Sequence, residues 1–202
     1  MTEDTSDIVL GVLMVAVLLP VLYYVAKFIT IIGDAWSARI FAPLAAAIDG
    51  TVKGGTMRGR YQGHDLRVSY AHNPSLEWEW EEARAVTINA FYIEVMDLPG
   101  HQDWKIRFYV FGTFGQGPKK LVIEAKDFAL GERLAQSSVL AAVYAVSAPT
   151  DYYLTVAYDA RSRILTYTDD VSPRSVPLRE KFAAQLELVA RLVAINGQVN
   201  AA

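Results

Sequence analysis

Apolar residues fall first in one unbroken block and then in several alternating ones. The block is residues 8–32, IVLGVLMVAVLLPVLYYVAKFITII, whose single charge is Lys27. Its uncharged part, residues 8–26, would rise about 28 Å as a helix, close to the roughly 30 Å of a bilayer core. We therefore read 8–32 as a transmembrane helix. Tyr23 and Tyr24 fall one turn before Lys27, a grouping suited to a membrane interface, where rings and a snorkelling ammonium are both favoured. Pro20 removes a backbone donor mid-span and predicts a kink. A cleaved signal peptide would want a basic start and a shorter apolar run. Residues 1–7 read MTEDTSD instead, a short acidic tail.

The next block, 33–50, repeats apolar residues every fourth position: Trp36, Ile40, Leu44 and Ile48. That period predicts an amphipathic juxtamembrane helix, interrupted near Pro43 and stopped at Asp49-Gly50. It either continues the anchor or bends along the interface. From residue 51 the period shortens to two. Strands are expected over 57–62 and 65–71, around a Gly63-His64 turn. The pattern LEWEWE over 76–81 predicts a strand with tryptophans inward and carboxylates outward. The run 84–96 changes phase between Ile88 and Phe91, which predicts a bulge near Asn89-Ala90. Further strands are expected over 104–110, 120–125, 152–158 and 163–168. Helical periods return over 127–147, with Asp127 as cap, and over 178–196, where Leu178, Phe182, Leu186, Val189 and Val193 share a face and Gly197 is the stop.

The expected fold class is α+β: a single N-terminal transmembrane helix, a juxtamembrane helix, and one domain (51–202) with a mainly antiparallel sheet packed by two helices. Charge sharpens this picture. Residues 1–50 hold two bases and five acids, whereas 51–202 hold seventeen of each. A neutral domain lacks the field that nucleic-acid binding needs, so that class of partner is set aside. Lysine and arginine are absent before the apolar block and frequent after it. The domain should therefore be cytoplasmic at a bacterial inner membrane and the N-terminus extracytoplasmic. The chain has no cysteine, which fits a reducing compartment.

Candidate chemistry is sparse. Gly112 and Gly117 have phosphate-loop spacing, but Pro118 and Lys119 follow where Lys and Ser/Thr opening a helix are required. Glu77, Glu79 and Glu81 share a strand face without the wrapping loop a Ca²⁺ site needs. The three histidines, His64, His72 and His101, are scattered, and no zinc set emerges. The anchor holds no histidine to ligate a haem or pigment. We expect no cofactor, no metal and no catalytic residues.

The expected function is a non-catalytic accessory or scaffold subunit of a larger bacterial membrane complex, respiratory or photosynthetic. Its partners would be lipids and integral membrane proteins. Tyr23, Tyr24, Lys27, Trp36 and Arg39 would mark the membrane interface, and Lys53, Arg58 and Arg60 could touch lipid headgroups. The alternative is an anchored enzyme or ligand-binding domain, with His101, Asp103 and the 112–119 loop as first candidates.

Overall fold

A computed structural model describes residues 3–73, 88–110, 119–146, 153–170 and 177–199. The strands expected over 76–81, the start of that over 84–96, and the loop containing Gly112 and Gly117 lie outside the described residues. Helix α1 runs from Glu3 to Ala45 and continues through Pro20 and Pro43. A single 3₁₀ turn, Ala46–Ile48, follows, and Asp49 closes it in the left-handed region at φ 45°. The blocks 8–32 and 33–50 thus join without a break in the helix.

Among the described residues eight strands form one antiparallel sheet: β1 Thr51–Lys53, β2 Thr56–Tyr61, β3 His64–Asn73, β4 Ile88–Val95, β5 Trp104–Val110, β6 Lys119–Ala125, β7 Tyr153–Asp159 and β8 Ile164–Asp170. Their spatial order is β1-β2-β3-β4-β8-β7-β5-β6. The first two hairpins close through pairs of residues with positive φ, Gly54-Gly55 (58° and 70°) and Gln62-Gly63 (49° and 87°). Such pairs make the tight primed turns that match strand twist. The second turn is therefore Gln62-Gly63, and His64 already pairs with Tyr61 in the sheet.

No bulge occurs at Asn89-Ala90. The β3–β4 register is unbroken from Asn73↔Ile88 to Leu66↔Val95, and the β4–β8 register holds through Ala90↔Asp170. Alternation runs through the strand without an inserted residue, and Phe91, Ile93 and Val95 are the inward set and are buried. The hairpin of β7 and β8 is inserted between β4 and β5.

All the described helices lie against one face of the sheet. The segment expected as one helix over 127–147 is two, α2 Phe128–Leu134 and α3 Ser137–Val146. Asp127 caps α2 by accepting from the Ala129 N–H at 2.9 Å. At the break the Gln136 N–H donates to the Arg133 carbonyl, and the Gln136 carbonyl accepts from Val139 and Leu140, starting the next helix. The change of direction lets α2 pack on β6 and α3 on the final helix, α4 Arg179–Val199. Phe182, Leu186, Val189 and Val193 of α4 are buried as their period requires, but Leu178 is 79% exposed. It precedes the helix, and its carbonyl receives the Phe182 N–H. Helix α4 also runs past Gly197, whose φ is not positive.

The outer sheet face is mainly polar, from buried Thr155 at its centre to exposed Arg58 and Glu124 towards its edges. Ser69, Tyr92, Thr168, Thr155, Arg107 and Val122 form one cross-strand row on it. Arg67 and Glu94 form a bidentate ion pair across β3 and β4, which raises the guanidinium pKa through the hydrogen bond first and the charge second.

Candidate functional site

Register assigns direction to each end of the sheet. Strands β3, β5 and β8 finish, and β4, β6 and β7 begin, at one end. The opposite end carries the Gln62-Gly63 turn, residues 96–103 and residues 160–163. Helix α1 relates to both. The Phe41 ring lies 6.5 Å from that of Phe91, which stands edge-on to Phe182 at 6.0 Å. Seven residues on, Ile48 presses on Gly59, whose cross-strand row contains Leu66 and Val95. Phe91 and Val95 are four residues apart in β4, about 13 Å in a strand. The end of α1 therefore runs along the sheet from the Phe91 row to the Val95 row. Its earlier residues leave past the end where β4 begins.

This docking explains the stripe seen in the sequence. Phe41, Leu44 and Ile48 are buried, Ile40 is half-buried, and Trp36 is 52% exposed. Burying three such side chains contributes about 1.5–3 kcal/mol each. A Cβ on Gly59 would strike the Ile48 carbonyl oxygen and come within 2.8 Å of the Gly50 backbone. Only glycine lets the helix end lie this close.

Upstream of the docked turn the chain is apolar and uncovered. Between Met14 and Ile32 the large side chains described are all about half or more exposed, from Val25 at 49% to Met14 and Tyr24 at 66%. Tyr23 and Tyr24 stand edge to face. Among the described residues no helix is long and apolar enough to cross a membrane. The unbroken stretch with described side chains, 14–28, would rise about 22 Å as a helix.

A buried polar cluster sits near the same end of the sheet. Asp169 faces inward from β8 between Phe91 and Leu154 in register and is fully buried. Its Oδ2 accepts from the Gln185 Nε2 at 2.9 Å, the Lys181 Nζ at 2.9 Å and the Tyr167 hydroxyl at 3.2 Å. Gln185 also donates to the Tyr167 oxygen at 3.1 Å. Lys181 and Gln185 are one turn apart on α4, so the carboxylate pins the first turns of that helix to β8. The Gln185 Oε1 is buried and has no hydrogen-bond partner among the described residues. The signal of this cluster in the sequence is an acid in the inward phase of the alternation Leu165, Tyr167, Asp169.

The far end is a set of braced turns. Tyr158 donates to the Leu98 carbonyl at 3.0 Å, and its burial raises the phenol pKa. Trp104 stacks on Tyr158 and donates to the Asn196 Oδ1 at 3.0 Å, while Asn196 donates to the Pro99 carbonyl at 2.7 Å. Asp103 accepts from the Ala160 N–H at 2.8 Å and so braces the turn. His101 is exposed. The Ser162 hydroxyl and then the Arg161 N–H hold the Asp159 pKa below its usual value. A groove of 260 Å³ opens between Gln62, His64, Leu98, Pro99 and the last turns of α4. That is below the roughly 300–1,000 Å³ of most small-molecule sites.

The residues expected at a membrane interface separate in space. Arg39 is exposed on α1 near the docked turn, and Lys53 is exposed at the end of β1. Arg58 is exposed on β2, opposite Thr51 of β1. Arg60 pairs with Asp65 at 2.8 Å beside the far turn, opposite to where α1 leaves. Among the described residues no group of three His, Cys, Asp or Glu side chains could hold a metal ion. No protein-family model, no curated protein and no solved structure matches this chain.

Proposed function

We propose that the chain is a single-pass membrane protein whose α+β domain serves as a non-catalytic accessory or scaffold subunit of a larger bacterial membrane complex. One observation carries the reading: α1 is bare and apolar over the described residues 14–28 and then buried in the domain core at Phe41, Leu44 and Ile48. A soluble protein rarely exposes so large a contiguous apolar surface, whereas hydrocarbon accommodates it. The apolar sequence continues outside the described side chains to span 8–32, which supports a full crossing. The lysine and arginine asymmetry supports a cytoplasmic domain at the inner membrane. A helix that runs unbroken into the domain, with Asp169 and Asp103 bonded to neighbouring elements, suits a holding role better than a reactive one. A respiratory or photosynthetic complex is the setting we favour.

The test is purification of the full chain, tagged at its C-terminus, from gently solubilised native membranes. Integral membrane proteins should accompany it in fixed stoichiometry. A chain that always elutes alone sinks the subunit reading, and a chain that alkaline carbonate strips from membranes sinks the anchor. Protease should reach the domain in inverted vesicles; cleavage only in right-side-out vesicles reverses the topology.

A further inference from the structure

We propose that β6 is the edge on which a second copy of this chain docks, strand against strand, about a two-fold axis through Val122. The two edges of the sheet differ. β1 has three residues, and α1 packs against it. β6 has seven, Lys119–Ala125, without proline or glycine, and β5 is its one strand partner among the described residues. A long edge of this kind offers backbone donors and acceptors to a further strand. Its apolar side chains are incompletely covered as well. Leu121 and Ile123 point to the core face, yet both are only half-buried, whereas their neighbours in the same rows, Phe108 and Ile106, are fully buried. Val122, on the outer face, is half-buried too.

The sequence of β6 selects the partner. Antiparallel pairing of β6 with itself, centred on Val122, sets Leu121 opposite the partner's Ile123 and Lys120 opposite the partner's Glu124, and all seven residues pair. A shift of two residues either way opposes Lys120 or Glu124 to Val122 and loses both ion pairs. Glu124 is oriented on the outer face by its ion pair with Arg107, and Lys120 is exposed on the same face. Opposite charges across strands stabilise a sheet, and like charges destabilise it. The contact is isologous, so it closes after two copies. Sheet twist makes the pair compatible with two anchors, and the strength of the pairing rests on that anchored reading. From β4, along which α1 runs, to β6 is four strand-to-strand steps. At about 20–25° a step, the strand direction turns by about 80–100°. The two-fold axis stands perpendicular to the sheet at β6, and so lies roughly parallel to the strands at β4 and to α1. Rotation about such an axis leaves the direction of α1 unchanged, so both helices leave the dimer the same way. Copies held in one membrane lose less freedom on pairing than free proteins do, and a contact one strand long then suffices.

The absence of cysteine allows single probes to report the contact. Val122→Cys and, on the other edge, Thr51→Cys would each be placed in the full chain and treated in isolated membranes with a short thiol-to-thiol cross-linker. Directly opposed residues have Cβ atoms about 4.5–5.5 Å apart, within its reach. Val122→Cys should give covalent dimer, and Thr51→Cys only the background of random collision. With Val122→Cys in place, Lys120→Glu sets acid against acid at both symmetric pairs and should lower the dimer about tenfold. Adding Glu124→Lys restores opposite charges across the axis and should recover it, with circular dichroism showing that each variant stays folded. Equal cross-linking at 51 and 122, or none at 122, overturns the pairing. A Val122→Cys dimer indifferent to the charge variants overturns the register. Release of the chain from membranes by alkaline carbonate overturns the anchored reading instead, whatever the cross-linker shows.

Discussion

Gly59 of β2 lies directly beneath the backbone carbonyl of Ile48, so that a single added methyl group would occupy the space of that oxygen. Neither partner can yield easily. The carbonyl belongs to the 3₁₀ turn ending α1, and Gly59 is held by its register with Leu66. Gly59→Ala should lower the stability of the domain by about 1–3 kcal/mol, the usual cost of overpacking a fitted site. Denaturant midpoints of the full chain in detergent would show it, with protection of α1 amides near residue 45 falling first.

The opposite sign is expected in α4. A Cβ at Gly197 meets nothing within 4 Å, and the residue is helical without a positive φ. Gly197→Ala should stabilise by about 0.4–1 kcal/mol, chiefly by restricting the unfolded chain. The same thermal or denaturant assay distinguishes the two glycines.

Removing Asp169 should be costly. Lys181, Gln185 and Tyr167 all donate to its Oδ2. Stripping one partner from a buried pair costs about 3–5 kcal/mol. Lys181 keeps 26% of its side chain in solvent, so it can rehydrate, and about 2–3 kcal/mol is expected for Asp169→Ala. Lys181→Met should cost at least as much, because it leaves the fully buried Asp169 carboxylate without its counter-charge. A double-mutant cycle between them should return a coupling above about 0.5 kcal/mol; additivity would mean the pin is not a unit.

Tyr158 predicts an alkaline limit. Burial raises its phenol pKa above the ordinary value of 10.0. The neutral form is the one the fold prefers, so this contribution is complete below pH 10.0 and fades as pH climbs through the raised value. Tyr158→Phe should cost about 1 kcal/mol at neutral pH by deleting the bond to the Leu98 carbonyl. Above pH 10.0 the gap between variant and natural chain should narrow. Urea titrations at several pH values would test both statements.

Much of the fold was legible because local periods and burial agree. Trp104, Ile106 and Phe108 alternate with Lys105 and Arg107, and the first three are buried. The same holds for Leu66 and Val68, and for the stripe of α4. Errors arose where a local signal had two solutions. The phase change before Phe91 looked like an inserted residue, but strands β3 and β8 hold β4 in unbroken register on both sides. Thr51–Lys53 was too short to register as a strand, yet the Gly54-Gly55 turn folds it onto β2. The helix over 127–147 had one period throughout; only the need to reach both β6 and α4 divides it at Gln136.

The sequence by itself determined what hydropathy and turn chemistry control: one long apolar segment, a neutral domain, alternating strands and the capping of α2 by Asp127. Those properties depend on neighbours within a few residues, so they survive without a fold. Direction, proximity and partnership belong to the tertiary structure. Only the packing of Phe41 on Phe91 and Ile48 on Gly59 decided which end of the sheet α1 leaves from. Only that direction separated Lys53 from Arg60, which lie seven residues apart in the chain. Asp169 met Lys181 and Gln185 through the pairing of β8 beneath α4, a contact between elements whose alignment no local pattern encodes.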